Sequence, residues 1–153
     1  MPAEFVHLRL HSEYSLVDGL VRLKPLMKSA ASMGMPAIAL TDETNLFALI
    51  KFQRAAVGAG IKPIYGADVW LEQKDASLAP TRLTLLAQNK DGYRCLTELV
   101  SDAYLKGQHL GKALIHRDWL AEKNKGLIVL SGGKEGEIGR ALLEERQDDA
   151  AQH

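Results

Sequence analysis

Short apolar runs alternate with stretches of helical periodicity along almost the whole chain. The runs Ala37–Leu40, Leu83–Ala87 and Leu127–Leu130 have the length and composition of buried strands. In Val21–Met33 and Leu46–Val57, apolar residues recur at helical spacing. This order of strands and helices predicts an α/β fold, with a mainly parallel sheet or a β/α barrel.

Further segments continue the alternation, and 153 residues are enough for one domain with a core. The additional predicted strands are Phe5–Leu10 and Ile64–Glu72, and the additional helices are Asp91–Tyr104, His116–Lys123 and Gly136–Arg146. Asp91 is the expected cap of its helix, and Gly107–Gly111 is predicted to be a loop. We expect one domain over residues 1–146 and a disordered polar tail over residues 147–153.

The charge balance argues against a nucleic-acid-binding domain. Lys and Arg number 19 and Asp and Glu number 19, whereas proteins that grip DNA carry a basic excess. We therefore expect no direct DNA contact by this segment. Cys95 is the single cysteine, so no disulfide can form within the chain. The sequence shows no signal peptide and no apolar run of membrane-spanning length, which predicts a soluble cytoplasmic protein.

In a β/α fold, functional side chains gather at the C-terminal ends of strands. His7, Arg9 and His11 alternate with apolar residues in the first predicted strand and share one of its faces. Such a polar face fits a functional site inside a barrel, and it also fits the wet face of an edge strand.

Carboxylates occur in the chain after two of the predicted strands. Asp18 precedes Gly19, which is typical of a turn, although Asp18 could also be a ligand. Asp42 and Glu43 follow Ala37–Leu40 after one intervening residue, Thr41. Adjacent carboxylates can bind a metal or act as acid and base, but they more often cap the next helix.

Later positions give weaker signals. Asp68 lies in an apolar strand, where a carboxylate is costly unless it is paired. Its strand face could be exposed, or Arg82 at the start of the next strand could pair with it. His109 and His116 are expected to be surface or capping residues. No Ser-His-Asp set, CxxC pair or glycine-rich phosphate loop is recognisable.

Five sequence blocks in this order resemble the PHP (polymerase and histidinol phosphatase) family. The blocks are His7–Gly19, Ala39–Asp42, Lys62–Asp68, Leu83–Asn89 with Gly92-Tyr93, and Leu130–Gly133 with Gly136–Ile138. The resemblance spans nearly the whole chain. It implies the N-terminal portion of a distorted β/α barrel, because family domains are longer than this chain.

Active members of this family are similar in holding several divalent metals with His, Asp, Glu and Cys ligands. By resemblance, His11, Asp18 and Asp68 stand at former metal positions that are retained or conservatively changed. Arg9, Glu43, Arg82 and Gly133 stand at positions where the ligand has been replaced. Guanidinium has no lone pair to donate and keeps its positive charge, and glycine offers no ligand.

The resemblance therefore implies a degenerate site with no catalytic residue and no metal cofactor. We expect Arg9 and Arg82 to pair with Glu43, Asp68 or Asp18. The alternative is one Mn, Mg or Zn ion held by the oxygen ligands together with His11.

The blocks are most similar to the branch that opens the alpha subunit of bacterial DNA polymerase III. That branch implies a brace for the rest of the polymerase subunit and a docking site for the epsilon proofreading exonuclease. The whole polymerase is a nucleotidyltransferase, but this segment is expected not to be catalytic. Glu72–Pro80 and Gly107–Leu114 are candidate docking segments. The alternatives are a residual phosphoesterase (a 3′–5′ exonuclease or pyrophosphatase) and a free-standing small phosphatase.

Overall fold

The computed structural model describes residues 5–16, 18–73 and 78–152. The chain divides into two compact units, Met1–Ala67 and Asp68–His153. Both units contain helices and strands, which confirms the α/β class. The first unit contains helix α1 (Leu23–Ser32), strand β1 (Ala37–Leu40), helix α2 (Leu49–Gly58) and the beginning of strand β2 (Lys62–Leu71), whose end belongs to the second unit.

In the first unit, β1 and β2 pair in parallel from Ala37 opposite Lys62 to Leu40 opposite Tyr65. The predicted strand Phe5–Leu10 is not a strand in the structure: it forms an isolated parallel bridge between His7 and Ile38, followed by a bend at Leu8. The Ala39 N–H donates to the His7 carbonyl at 2.8 Å. The first segment of the chain is therefore held along β1.

The core of this unit lies where α1 and α2 pack. Leu23, Met27 and Ala30 are buried on α1, as their helical spacing predicts. They belong to the same buried apolar cluster as Phe52 of α2. Gly34 ends α1 with a φ of +70°, a conformation that costs glycine little, and the Met35 N–H donates to the Ala30 carbonyl at 3.0 Å.

The second unit contains the remaining elements. They are β3 (Thr81–Ala87), α3 (Lys90–Lys106), β4 (Gln108–His109), β5 (Lys112–Ile115), α4 (Arg117–Glu122), β6 (Leu127–Ser131), a 3₁₀ turn (Gly133–Glu135), α5 (Glu137–Leu143) and α6 (Gln147–Gln152). No helix in the described part of the chain is long and apolar enough to cross a bilayer.

The strands form a mixed sheet, which corrects the expectation of mainly parallel strands. β2 pairs with β5 in parallel, but β3 pairs with β6 and β4 with β5 in antiparallel orientation. An apolar run indicates a strand but not its direction. The segment predicted as a loop, Gly107–Gly111, instead contributes to a hairpin, whose turn has positive φ at both Leu110 and Gly111.

The bounds of the predicted helices differ from those in the structure, as α3 and the last two helices illustrate. Asn89, not Asp91, caps α3, and its side chain accepts a hydrogen bond from the Gly92 N–H at 3.0 Å. Apolar residues at helical spacing form the buried face of α3: Leu96, Leu99, Val100 and Ala103. The predicted final helix Gly136–Arg146 is shorter in the structure, where it is α5 (Glu137–Leu143), and residues 147–152, predicted to be a disordered tail, form α6.

Candidate functional site

The carboxylate of Asp42 organises the loop that follows the first segment of the chain. Asp42 lies two residues after the end of β1 and is only 2% exposed. It accepts hydrogen bonds from the Ser12 N–H at 2.6 Å, from the Ser12 hydroxyl at 2.8 Å and from the Ser15 hydroxyl at 3.0 Å. This buried carboxylate therefore fixes the conformation of the loop instead of facing a ligand.

The expectation that Asp42 and Glu43 cap the following helix is wrong. Helix α2 begins at Leu49, after Ala48, and has no side-chain cap. The Glu43 N–H donates to the Ser15 hydroxyl at 2.9 Å, so both residues contact the loop. The partners lie about thirty positions apart in the chain, beyond the range of helix-capping patterns.

Asn45 is a further loop-fixing residue that the sequence did not reveal. It is 3% exposed. Its side-chain amide donates to the carbonyls of Tyr14 and Glu43, each at 3.0 Å. An asparagine with two backbone acceptors holds two segments together, and no local pattern indicates such a role.

Two positions that the resemblance indicates as former metal positions, His11 and Asp18, lie together in the first unit. The His11 ring nitrogen Nδ1 is 2.9 Å from both carboxylate oxygens of Asp18. The His11 side chain is 10% exposed and that of Asp18 is 43% exposed. His7 and Arg9 are exposed, whereas His11 is half-buried, so the three residues predicted to share one strand face differ in burial. Asp18 is thus a partner of His11 as well as a neighbour of the Gly19 turn.

Gly19 is required by the approach of the chain to itself. A Cβ atom built there would lie 1.6 Å from the Ser12 carbonyl oxygen. The Glu13 N–H donates to the Val21 carbonyl at 2.9 Å and closes the same loop. Any side chain at position 19 would have to push these segments apart.

In the second unit, Asp68 is fully buried in β2 and lies beside Arg82. Arg82 Nη1 is 3.6 Å from Asp68 Oδ2 and 3.4 Å from Glu135 Oε2. The Thr84 hydroxyl donates to Asp68 Oδ1. The guanidinium also lies 4.5 Å from the ring centre of Trp70. The expected pairing of Arg82 with Asp68 is confirmed, and the alternative of an exposed strand face for Asp68 is wrong.

The sequence did not indicate Glu135 as a partner of Arg82. It lies in the 3₁₀ turn that precedes α5. In that turn Gly133 is exposed and has a φ of +56°. A side chain at Gly133 would be strained in this left-handed backbone.

His109 and His116 lie in the second unit, and in the described part of the chain neither belongs to a group of metal-ligating side chains. His109 is exposed on the short strand β4. His116 Nδ1 lies 2.6 Å from Glu72 Oε2, and its ring centre is 4.1 Å from that of Trp119. Both agree with the expectation of surface positions.

The two candidate docking segments line one cavity of about 490 Å³. Glu72, Gln73 and 78–80 form one side, and residues from Gly107 to Leu114 form the other. Residues 74–77 of the first segment lie outside the described residues. The positively charged side chains here already have partners: Lys106 is 2.8 Å from Asp102, and Lys112 is 4.0 Å from the Trp70 ring centre.

Residues 7–153 match the family described as PHP domain. The chain belongs to the PHP family. It is 59% identical over 143 residues to DNA polymerase III subunit alpha from Pseudomonas fluorescens, covering 94% of this chain and 12% of the relative. It is 54% identical over 139 residues to the same subunit from Escherichia coli K12, covering 91% of this chain and 12% of the relative. The chain therefore spans about one-eighth of these relatives.

Solved structures of lower identity are also similar to this PHP chain. A metal-dependent phosphoesterase from Bifidobacterium adolescentis is 14% identical, with a TM-score of 0.49 over 69% of this chain and 36% of the other. An amidohydrolase from Chromobacterium violaceum is 20% identical, with a TM-score of 0.47 over 63% of this chain and 34% of the other.

The described residues of this PHP chain do not bring together the cluster of metal ligands that the resemblance implies for active family members. Within residues 5–16, 18–73 and 78–152, no three His, Cys, Asp or Glu side chains are grouped so that they could hold a metal ion. His11 and Asp18 form a pair. Asp68 has Thr84 and Arg82 against its two oxygens. A guanidinium at that distance supplies fixed positive charge where a cation would need electron pairs.

Proposed function

We propose that this chain is the N-terminal PHP module of a bacterial replicative DNA polymerase III alpha subunit, and that its metal site has lost catalytic function. The single observation that carries the proposal is the buried Arg82–Asp68 pair. Asp68 and Arg82 are two of the former metal positions indicated by resemblance. An ion pair between them replaces the ligand–metal contacts with a contact internal to the protein.

The physical argument concerns charge and burial. Asp68 is 0% exposed and Arg82 is 5% exposed, so neither group is screened by water. A second cation beside Asp68 would experience the repulsion of a guanidinium that cannot lose its proton. By resemblance Arg9, Glu43 and Gly133 also depart from the family ligands, which supports loss of the centre. The strands would then belong to one portion of a distorted β/α barrel.

The module would act as a structural brace and as a docking site for the proofreading exonuclease subunit in the cytoplasm. The similarity to polymerase alpha subunits supports the role as a brace. The chain matches only 12% of their length, so it would be one module within a much longer subunit. Without catalysis, the module would contribute through the contacts that its folded surface makes with other parts of the polymerase. Nucleotidyl transfer would be carried out by other segments of the polymerase.

Retention on the exonuclease subunit tests the docking role. The exonuclease subunit of the same bacterium is immobilised, and the purified chain is passed over it at micromolar concentration. We expect retention, and none on an immobilised protein of similar size and charge. A chain that passes through both columns equally would refute the docking role.

Metal soaking tests the degenerate site independently. Crystals are soaked in zinc or manganese, and anomalous difference maps are calculated. We expect no strong peak beside His11, Asp18 or Asp68. A strong peak there would contradict the loss of the centre, while retention on the exonuclease would remain a separate result.

A residual metal-dependent phosphoesterase is the second candidate function, and the His11–Asp18 pair is the observation that favours it. An imidazole and a carboxylate can contribute to a site for one Mn, Mg or Zn ion. Hydrolysis of a chromogenic phosphodiester with each added metal tests this role. Activity that disappears in His11→Ala and persists in His109→Ala would support it.

A further inference from the structure

We propose that a groove in the first unit binds an acidic peptide segment of a partner protein. The proposal rests on the docking function given above, and it adds the surface and the chemistry of recognition. The groove has a volume of about 820 Å³, within the range of roughly 300–1,000 Å³ that is typical of binding pockets. It lies between the loop at Tyr14, the first turn of α1 and the middle of α2.

Four cationic side chains surround this groove: Arg22, Lys24, Lys51 and Arg54. All four residues are exposed. Glu13 is the carboxylate in the lining, so four positive charges less one negative charge leave a charge of +3. The whole chain has a net charge of zero, so the positive charge is concentrated at this groove. A concave surface of one sign attracts ligands of the opposite sign.

Most of this charge is available to a ligand. Arg22 Nε lies 3.8 Å from Glu13 Oε2, at the limit of an ion pair. Lys51 contacts the Tyr14 hydroxyl, and this hydrogen bond raises the pKa of the lysine, so it stays charged at neutral pH. Lys24 and Arg54 make no ion pair with any residue in the described part of the chain. The cavity of the second unit differs, because Lys106 and Lys112 there already have partners.

The groove lining favours a peptide over a nucleic acid. Its apolar contribution comes from Leu23, Pro25, Ala55 and the half-buried Tyr14, which suit aliphatic side chains placed between acidic ones. Proteins that bind single strands stack successive bases on several aromatic rings. Tyr14 is the one aromatic residue in this lining, and Lys51 lies 5.0 Å from its ring centre.

A peptide titration decides the proposal. The probe is a fluorescein-labelled peptide of alternating Glu and Leu residues, and binding to the chain is followed by anisotropy. We expect saturable binding that the analogue with Gln in place of Glu lacks. Lys24→Glu/Arg54→Glu should weaken binding by about tenfold or more, because two attractive charges become repulsive.

The matched control is Lys28→Glu/Lys62→Glu. It reverses two exposed charges of the same unit that do not line the groove. We expect it to change affinity by about twofold at most, through the long-range field alone. Circular dichroism should show the same folded content for both variants, since all four side chains are on the surface.

Three results would overturn the proposal: equal binding by wild type and Lys24→Glu/Arg54→Glu, equal weakening by the control, or displacement of the peptide by oligothymidine at lower concentration than by unlabelled peptide. The last result would indicate a nucleic-acid groove. The same variants passed over the immobilised exonuclease separate the two proposals. If wild type is not retained there, the docking role fails, and the peptide titration still decides the groove.

Discussion

Arg82 Nη1 lies 3.6 Å from Asp68 Oδ2, with the arginine side chain 6% exposed and the aspartate side chain fully buried. Such a pair has lost most of its hydration, and its attraction offsets that cost only while both charges are present. The two residues are therefore energetically dependent on each other. Glu135 and Trp70 contact the same guanidinium and help to hold it.

Removing one partner of this pair should destabilise the chain strongly. We expect Arg82→Met to lower the free energy of unfolding by about 3–5 kcal/mol, because Asp68 would remain buried without its cation. Arg94→Met on the exposed face of α3 serves as control, with a change within about 0.5 kcal/mol. Urea unfolding followed by circular dichroism measures both.

The double variant Arg82→Met/Asp68→Asn should recover part of this loss, since neither charge is then buried alone. Asparagine keeps an oxygen acceptor for the Thr84 hydroxyl. A coupling free energy of at least about 1 kcal/mol in the double-mutant cycle is expected. Strictly additive effects would show that the two charges do not stabilise each other.

Asp42 should be among the least replaceable residues of the first unit. Asp42→Ala removes the acceptor of three hydrogen bonds and leaves the buried Ser12 N–H without its partner. We expect a loss of about 3 kcal/mol or more in the free energy of unfolding. Glu122→Ala, on the exposed end of α4, should have an effect within about 0.5 kcal/mol. Comparable urea midpoints for the two variants would contradict the anchoring role of Asp42.

The contrast between Asp42 and Asp18 shows where prediction from the sequence stops. Both are carboxylates that follow apolar segments, and no local pattern says that one is 2% exposed and the other has a side chain 43% exposed. The difference arises from Ser12 and Ser15, which are distant in sequence from Asp42 but adjacent in space. Burial of this kind depends on tertiary packing, which residue spacing does not record.

Helix faces were predictable because periodicity is a local property. The stripe of α1 and the inner face of α3 are buried as their spacing indicates. Strand direction and the β4–β5 hairpin were not predictable. Leu110 adopts a φ of +47°, which leucine rarely does, so the turn carries no conventional sequence signal. The Arg82–Asp68 pair was predictable because a buried carboxylate requires a partner.

Alanine substitution at two glycines should distinguish a glycine that is required by a close backbone contact from a glycine at an ordinary helical position. Gly19→Ala places a Cβ atom 1.6 Å from the Ser12 carbonyl oxygen, so we expect a loss of about 1–3 kcal/mol from the forced backbone shift. Gly58→Ala, at the last residue of α2, meets nothing within 4 Å and should be neutral or slightly stabilising. Thermal unfolding of both variants gives the comparison, and equal melting temperatures would exclude the clash at Gly19.

Asp102 provides a pH-dependent contribution to stability whose sign follows from its two lysine partners. Hydrogen bonds from Lys106 at 2.8 Å and from Lys123 at 2.6 Å lower the pKa of Asp102 from its ordinary value of 3.8. A carboxyl group with a lowered pKa in the folded state stabilises the fold above its unfolded-state pKa. That stabilisation is lost as the pH falls through the folded-state pKa.

We therefore expect Asp102→Asn to lower the melting temperature by a constant amount from pH 7 down to about pH 5, with the gap closing below about pH 4. Added salt should also narrow the gap at pH 7, because the three charges lie near the surface. Asp118→Asn, which alters an exposed carboxylate of the same unit, controls for general charge effects. A gap that stays constant or widens below pH 3.8 would contradict the assigned direction of the pKa shift, since protonation of Asp102 must make the wild type resemble the variant.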